Sequence, residues 1–252
     1  MQLDFSVSWA LGLAFGVARA GAFVALCAFV PRTIPGLGRT TFALAMGILI
    51  AQPVAHASMG SADLVVAAVT NLVIGGVLGW FVGLLTFMFQ VAGSVVDVTS
   101  GVSLGSVFDP DSHSTPGPFA RFYTLSAQTL IIAGGGLTVM IQVAWVSTKA
   151  VPLDGHLASL GILGAEATEQ VNQMFHRGVE LALPVAAVLF VSEIAFGLLS
   201  RLAPQINMFL IALPVKTLMV LSMLGTACVM FPRFADQAIS GGLDTAGRLL
   251  GR

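Results

Sequence analysis

Charged side chains are scarce in this chain of 252 residues. Asp, Glu, Lys and Arg make up 9% of it and 56% of its residues are hydrophobic, whereas a soluble domain averages about 25% charged residues. So apolar a surface is unstable in water but suits lipid, where the outside of a fold can be as apolar as its inside. No basic stretch accompanies the net charge of -1, so nothing indicates a nucleic-acid partner. The composition predicts a membrane protein.

Cysteines are few, and the common active-site motifs are missing. Cys27 and Cys228 lie far apart in apolar runs without CxxC spacing, which predicts buried small hydrophobic residues rather than a disulfide or a metal site. No GxxxxGK[ST], HExxH or GxSxG sequence occurs. The nearest approach to a carboxylate pair, Asp109 and Asp111 around Pro110, is typical of a turn. We therefore expect no enzyme, no metal and no cofactor.

Long apolar segments dominate the chain. Most approach or exceed the roughly 20 residues that a helix needs to cross a bilayer, and they do not alternate as barrel strands do. They predict an all-α membrane protein of about six hydrophobic helical segments: Ser8–Val30, Thr41–Gln52, Leu64–Ala92, Phe122–Val151, Val179–Ser200 and Ile206–Phe231. Pro232 is expected to end the sixth.

Two features argue against six simple crossings. The second segment is too short to span before Pro53 ends it. If every segment crossed, basic residues would also divide almost evenly between the two sides, so the positive-inside rule fixes no orientation. Either a span is miscounted or some segments are hairpins shielded by neighbouring protein.

Glycines recur at intervals of four residues, a spacing that lets helix backbones approach closely in lipid. One run is Gly75, Gly79 and Gly83. Gly93 and Gly101 lie on a similar stripe, eight residues apart with Asp97 midway between them. The spacing is compatible with packing inside the chain and with packing against separate subunits. The sequence leaves both open.

Arg19 lies near the middle of the first apolar segment, where an arginine costs roughly 2.5–3.5 kcal/mol. We therefore expect a partner acid or a hydrated cavity. Asp97, four residues from Gly93 and from Gly101, is the candidate acid. An ion pair that fixes helix packing and a site for a transported ion are the two interpretations.

A polar corner divides the last two segments. Glu193 and Arg201 lie on one helical face around Gly197, too far apart to pair, so each is predicted to reach another helix or chain. Two polar side chains in the corner can satisfy backbone groups freed by Pro204 or can bind a neighbouring subunit. These two, and the lysine that follows the corner, are Gln205, Asn207 and Lys216.

In this order, the motifs resemble the FliR family of flagellar biosynthetic proteins and the equivalent export-apparatus subunit of type III injectisomes. The resemblance runs over nearly the whole chain. Its most specific parts are Gly93-x3-Asp97-x3-Gly101, Asp109-Pro110, Leu183-Pro184, Glu193-x3-Gly197-x3-Arg201 and Ala203-Pro204-Gln205-x-Asn207-x-Phe209-x4-Pro214-x-Lys216.

The resemblance implies a structural subunit of the flagellar type III export gate, in the bacterial inner membrane at the basal body. It would help form the pore for unfolded flagellar proteins. Its partners would be FliP- and FliQ-like subunits in a helical hetero-oligomer, FlhB-like and FlhA-like export components, and membrane lipid. A FliP-like portion would cover residues 1–178, a FliQ-like hairpin 179–231, and a tail 232–252.

The family also implies a plug in the pore at residues 103–119. Glycines and prolines there disfavour a rigid helix, and aromatic residues can close a narrow pore. The plug or gate residues would be Gly101, Val107, Phe108, Asp109, Pro110 and Phe119. A surface loop joining two helices is the alternative.

Three other functions remain open. The chain can instead serve an injectisome, or it can be a secondary transporter that uses Arg19, Asp97 and Glu193 to bind a small solute. A membrane enzyme acting on lipid is the third, and the missing carboxylate and histidine clusters argue against it.

Overall fold

The computed structural model describes residues 2–28, 35–54, 60–103, 116–154 and 161–249. Over these ranges the regular structure is α-helical and no strand occurs. The helices are α1 (Gln2–Leu26), α2 (Gly36–Ile50), α3 (Ser61–Ser100), α4 (Pro118–Ala133), α5 (Gly136–Ala150), α6 (Gly161–Leu202) and α7 (Met208–Leu249).

The spans are fewer than the apolar segments. By length and composition, four described stretches can cross a membrane, and the bent pair α4 and α5 adds a fifth if it counts as one span. The four are Val7–Leu26, Ser61–Ser100, Thr168–Leu202 and Met208–Gly225. Helix α2, the short second segment, is not among them. The predicted all-α membrane fold is confirmed.

The fourth apolar segment is two helices rather than one. Between α4 and α5 the chain bends by 72° within a run of three glycines, residues 134–136. Gly135 has a φ of 88°, a left-handed conformation that residues with a Cβ rarely adopt. The prediction of one continuous segment over Phe122–Val151 was wrong because it ignored this run.

The last two helices are longer than predicted. Helix α6 begins at Gly161 rather than Val179. The apolar pattern missed its first turns because they carry too many polar residues. Helix α7 continues through Pro232, which was wrongly expected to end it. Phe231 and Phe234 beside this proline are buried, and their packing offsets the hydrogen bond that it removes.

The two cysteines differ in burial. Cys27, just after α1, is buried as predicted, whereas Cys228 on α7 is exposed, so the prediction of burial was wrong for that residue. Neither cysteine forms a disulfide.

The chain forms two compact units. Unit 1 consists of Met1–Leu85, Ile132–Val171 and Ala238–Arg252, and unit 2 of Thr86–Ile131 and Asn172–Gln237.

In unit 1, glycines of α3 lie directly against the backbone at α1. A Cβ built on any of the three would lie closer to that backbone than real Cβ atoms come. The facing pairs are Gly75 with Arg19, Gly79 with Phe23 and Gly83 with Ala28. These glycines therefore pack within the chain, the first of the two possibilities left open by their spacing.

Unit 2 has an aromatic centre where α3, α4 and α7 meet. The Phe231 ring packs edge-on against Phe89, with centroids 5.5 Å apart, and against Tyr123, with centroids 4.8 Å apart. All three side chains are buried. Each such pair contributes about 0.5–1.5 kcal/mol beyond the area it buries, so this cluster helps hold α7 in place past its proline.

Candidate functional site

The polar residues predicted from the sequence lie in three places in the described chain. The first surrounds Arg19 in unit 1. The second surrounds Asp97 and the third Glu193, both in unit 2. None of the three is a cluster of metal ligands, since no three described His, Cys, Asp or Glu side chains lie close enough together to hold an ion.

Arg19 is 1% exposed, and its described hydrogen bonds all go to neutral groups. Its Nε donates to Asn71 Oδ1 at 2.8 Å, and its Nη1 donates to the Val151 carbonyl at 2.9 Å and to Ser147 Oγ at 3.4 Å. The expectation that Asp97 pairs with Arg19 was therefore wrong, and Asp97 has a different role. Nη2 has no hydrogen-bond partner among the described residues.

A helix end supplies much of the compensation for this buried charge. Val151 is the C-cap of α5, and the carbonyls at a helix C-terminus carry a partial negative charge that favours a cation. Asn71 extends the same contact, because its Nδ2 donates to the Leu153 carbonyl at 2.9 Å. Arg19 and Asn71 thus jointly hold the carbonyls of the first and third residues after α5.

Sequence reasoning missed Asn71 and Ser147. Both are polar residues inside apolar segments, and a buried polar side chain in lipid requires a hydrogen-bond partner. Their presence there was the available signal. It did not indicate that Arg19 would be that partner.

Asp97 caps the N-terminus of α4 from a different helix. Its Oδ1 accepts the Phe119 N–H at 3.0 Å and its Oδ2 the Ala120 N–H at 2.8 Å. Its backbone carbonyl also accepts the Ser103 N–H at 3.3 Å. The carboxylate satisfies two of the four N–H groups that a helix start leaves unpaired, and its negative charge suits that end of the helix.

Glycines make room for this cap. A Cβ on Gly117 would clash with the Asp97 carboxylate, and one on Gly93 would clash with the Ala120 backbone. Gly101 lies just beyond α3 with a φ of 80°, so it turns the chain at the helix end rather than continuing the helical stripe.

The predicted plug falls mostly outside the described residues. Val107, Phe108, Asp109 and Pro110 all lie there. Phe119 lies in the first turn of α4 and is buried, so it packs inside unit 2 rather than belonging to a loop.

Glu193 pairs with Lys216 across the α6–α7 hairpin. The Lys216 side chain is 9% exposed and the Glu193 side chain 62% exposed, so the carboxylate covers the ammonium and itself faces outward. Glu193 thus reaches another helix, as expected, and that helix is α7 of the same chain. Arg201 is exposed and makes no hydrogen bond or ion pair with the described residues.

The corner between α6 and α7 is closed by backbone atoms. The Ile206 N–H donates to the Ala203 carbonyl at 3.1 Å, and the Leu210 N–H donates to the Asn207 carbonyl at 3.2 Å. The Gln205 and Asn207 side chains are exposed and bond to no backbone group of the described corner. Of the two roles left open for them, satisfying the backbone is not seen in the described corner, and binding to a neighbouring subunit stays a prediction.

The Asp97 cap predicts a local effect of substitution. Asp97→Ala should speed hydrogen exchange at the Phe119 and Ala120 amides and lower stability by about 1–2 kcal/mol, because both donors lose their acceptor. Asp97→Asn, which keeps one acceptor oxygen, should lie between. The measurement is hydrogen exchange by mass spectrometry on the purified chain in detergent.

Ser94→Ala is the matched control for this substitution, since Ser94 is exposed on the same helix and its hydroxyl bonds only to Gln90 of that helix. Equal exchange at the start of α4 in Asp97→Ala and Ser94→Ala would contradict the capping role.

The sequence from residue 10 to residue 242 matches the model of the family described as bacterial export proteins, family 1. The surface presentation of antigens protein SpaR of Shigella sonnei is 28% identical over 149 residues, which are 59% of this chain and 57% of the relative. The flagellar biosynthetic protein FliR of Caulobacter vibrioides is 26% identical over 243 residues, 87% of this chain and 91% of the relative.

A third relative, the flagellar biosynthetic protein FliR of Escherichia coli, is 27% identical over 174 residues, 69% of this chain and 66% of the relative. The chain thus spans little more than half the length of SpaR and most of the length of FliR. These similarities confirm the resemblance indicated by the motifs. Since the family model covers most of its length, the chain belongs to the bacterial export proteins, family 1.

Proposed function

We propose that this chain is a structural subunit of a type III protein export apparatus, with no catalytic role. The observation that carries the proposal is the family match over residues 10–242. The geometry supports it, because the polar residues in the apolar helices hold helices together. Arg19 and Asp97 are each engaged by fixed neutral groups of the chain, an arrangement that suits a scaffold better than a solute transporter.

The flagellar apparatus is the favoured setting. A protein named for flagellar biosynthesis aligns along nearly the whole of both chains, whereas one named for surface presentation of antigens aligns over little more than half. The chain would then lie in the bacterial inner membrane at the basal body. FliP- and FliQ-like subunits, and FlhB-like and FlhA-like components, would be its partners in passing unfolded flagellar proteins.

The division of labour along the chain is part of the proposal. Residues 1–178 would form the FliP-like portion, 179–231 the FliQ-like hairpin and 232–252 the tail. The hairpin of α6 and α7 supports this assignment, since it turns at a short polar corner and leaves many apolar side chains exposed, as a helix pair made for contact with other helices would.

Deletion of the gene tests the function. We expect export of flagellar proteins into the medium to fall at least tenfold while their cytoplasmic level is maintained, with recovery on complementation. Quantitative immunoblots of medium and cells measure both. Unchanged export of flagellar proteins, with loss of a different secreted set, would place the chain in an injectisome; unchanged secretion of every kind would contradict the proposal.

The plug at residues 103–119 remains a hypothesis from sequence and family resemblance. Deletion of residues 106–116 should raise ion leak across the membrane, because the apolar closure of the pore would be lost. Leak is measured as membrane depolarisation in cells that carry the assembled apparatus. Gln205→Ala, at an exposed side chain of the α6–α7 corner, is the control, and no rise in leak with assembly intact would count against a plug.

A further inference from the structure

Helix α5 turns one face inward and one face outward. Its inward face packs inside unit 1 through buried residues, among them Met140, Val143 and Ala144. Its outward face carries exposed residues at intervals of four, which lie nearly in line along the helix. We call them the α5 stripe: Leu137, Ile141, Trp145 and Lys149.

The lysine at the end of the α5 stripe has no acid beside it. Its Nζ lies 5.9 Å from the centroid of the Trp145 ring, a cation–π contact that does not neutralise the charge. No carboxylate of the described chain forms an ion pair with it, and the exposed residues next to the stripe, Thr138 and Gln142, are neutral. Arg19 rather than Lys149 binds the carbonyl at the end of α5. The Lys149 ammonium is therefore available to an anion from outside the chain.

The order of residues along the α5 stripe matches one leaflet of a bilayer. From Leu137 to Lys149 the helix rises roughly 18 Å, against about 15 Å for half of the hydrocarbon core. Two aliphatic side chains come first, then a tryptophan, which favours the membrane–water interface. The lysine comes last, where its long side chain can reach the headgroups. The stripe thus has the length and the polarity of a lipid molecule from tail to headgroup.

Another helix is a poorer occupant of this face. Close packing of helices in lipid uses small residues at the contact, as Gly75 and Gly79 do against α1. The α5 stripe has no small residue, and its three apolar side chains are large and between 36% and 42% exposed. An acyl chain is flexible, so it can follow such an uneven surface without close approach of two backbones.

We infer that the α5 stripe binds a phospholipid whose headgroup carries a net negative charge. The Lys149 ammonium binds the headgroup phosphate, the Trp145 ring lies at the level of the glycerol, and one acyl chain runs along Ile141 and Leu137. A zwitterionic headgroup also offers a phosphate, but it brings an ammonium of its own that competes with Lys149. This lipid site requires only the membrane fold, so it goes beyond the proposed function and does not depend on it.

Tryptophan fluorescence tests the contact. The full chain has three tryptophans, and Trp9→Phe with Trp80→Phe leaves Trp145 alone, for reconstitution into phosphatidylcholine vesicles. Dibrominated lipids quench a tryptophan that they touch. Dibrominated phosphatidylglycerol should bind at Trp145 about fivefold better than dibrominated phosphatidylcholine, the scale expected of one basic residue at an anionic surface. Lys149→Gln should remove this preference and Lys149→Arg should keep it.

Trp80 supplies the matched control. It is exposed on α3, and that helix carries no charged residue between Asp63 and Asp97. In a chain whose sole tryptophan is Trp80, the two brominated lipids should quench equally at equal mole fraction.

Native mass spectrometry of the purified full chain gives a second readout. The wild-type chain should retain more phosphatidylglycerol than Lys149→Gln, while circular dichroism shows the same helix content for both. Equal retention by the two chains would contradict the lipid site.

Three fluorescence results would also overturn it: equal quenching of Trp145 by the two lipids, quenching by neither, or a preference for phosphatidylglycerol that persists in Lys149→Gln. None of these measurements involves secretion. The proposed function can therefore fail while the lipid site holds, and the lipid site can fail while the function holds.

Discussion

The burial of Arg19 depends on how closely α3 approaches α1. Gly75 lies against the Arg19 backbone, where any Cβ would clash. Asn71 lies one turn earlier on α3, so the same approach carries its amide to 2.8 Å from the Arg19 Nε. Gly75 thus sets the position of Asn71, whose amide oxygen accepts a hydrogen bond from the Arg19 guanidinium. An unsatisfied charge in a membrane-spanning helix would be very costly.

The same contact reaches further into unit 1. Arg19 and Asn71 bind the carbonyls of Val151 and Leu153, so the segment after α5 is held by side chains of α1 and α3. Backbone that leaves a helix inside a membrane protein needs such partners, because lipid offers none. The position of α5 in unit 1 therefore follows from the α1–α3 approach and from one arginine.

Much of the fold can be predicted from the sequence, but not the pairing of its polar groups. Apolar length predicts helices, and glycine spacing predicts close packing at Gly75 and Gly79. Asp97 was assigned to Arg19 because opposite charges attract, yet it caps a helix that begins 21 residues later. Such a cap has no local sequence signature, since capping residues normally directly precede their own helix.

The glycines show the same limit. Gly93 and Gly197 follow similar spacing rules in the sequence, yet one lies against Ala120 and the other faces open space. Spacing indicates that a helix can approach, and only the fold shows whether this chain supplies that helix. That difference separates the glycines that pack inside the described chain from those that face open space.

A double-mutant cycle between Gly75→Ala and Arg19→Met tests the central contact most directly. Unfolding is followed by denaturant titration in detergent, with Gly21→Ala as the control because a Cβ there meets nothing within 4 Å. Gly75→Ala alone should cost about 1–3 kcal/mol. In the Arg19→Met background, Gly75→Ala should lower the free energy of unfolding by at least about 1 kcal/mol less than it does in the wild type, since Gly75 and Arg19 act through one contact. Additive costs, within about 0.5 kcal/mol, would contradict the dependence of the buried arginine on the glycine approach.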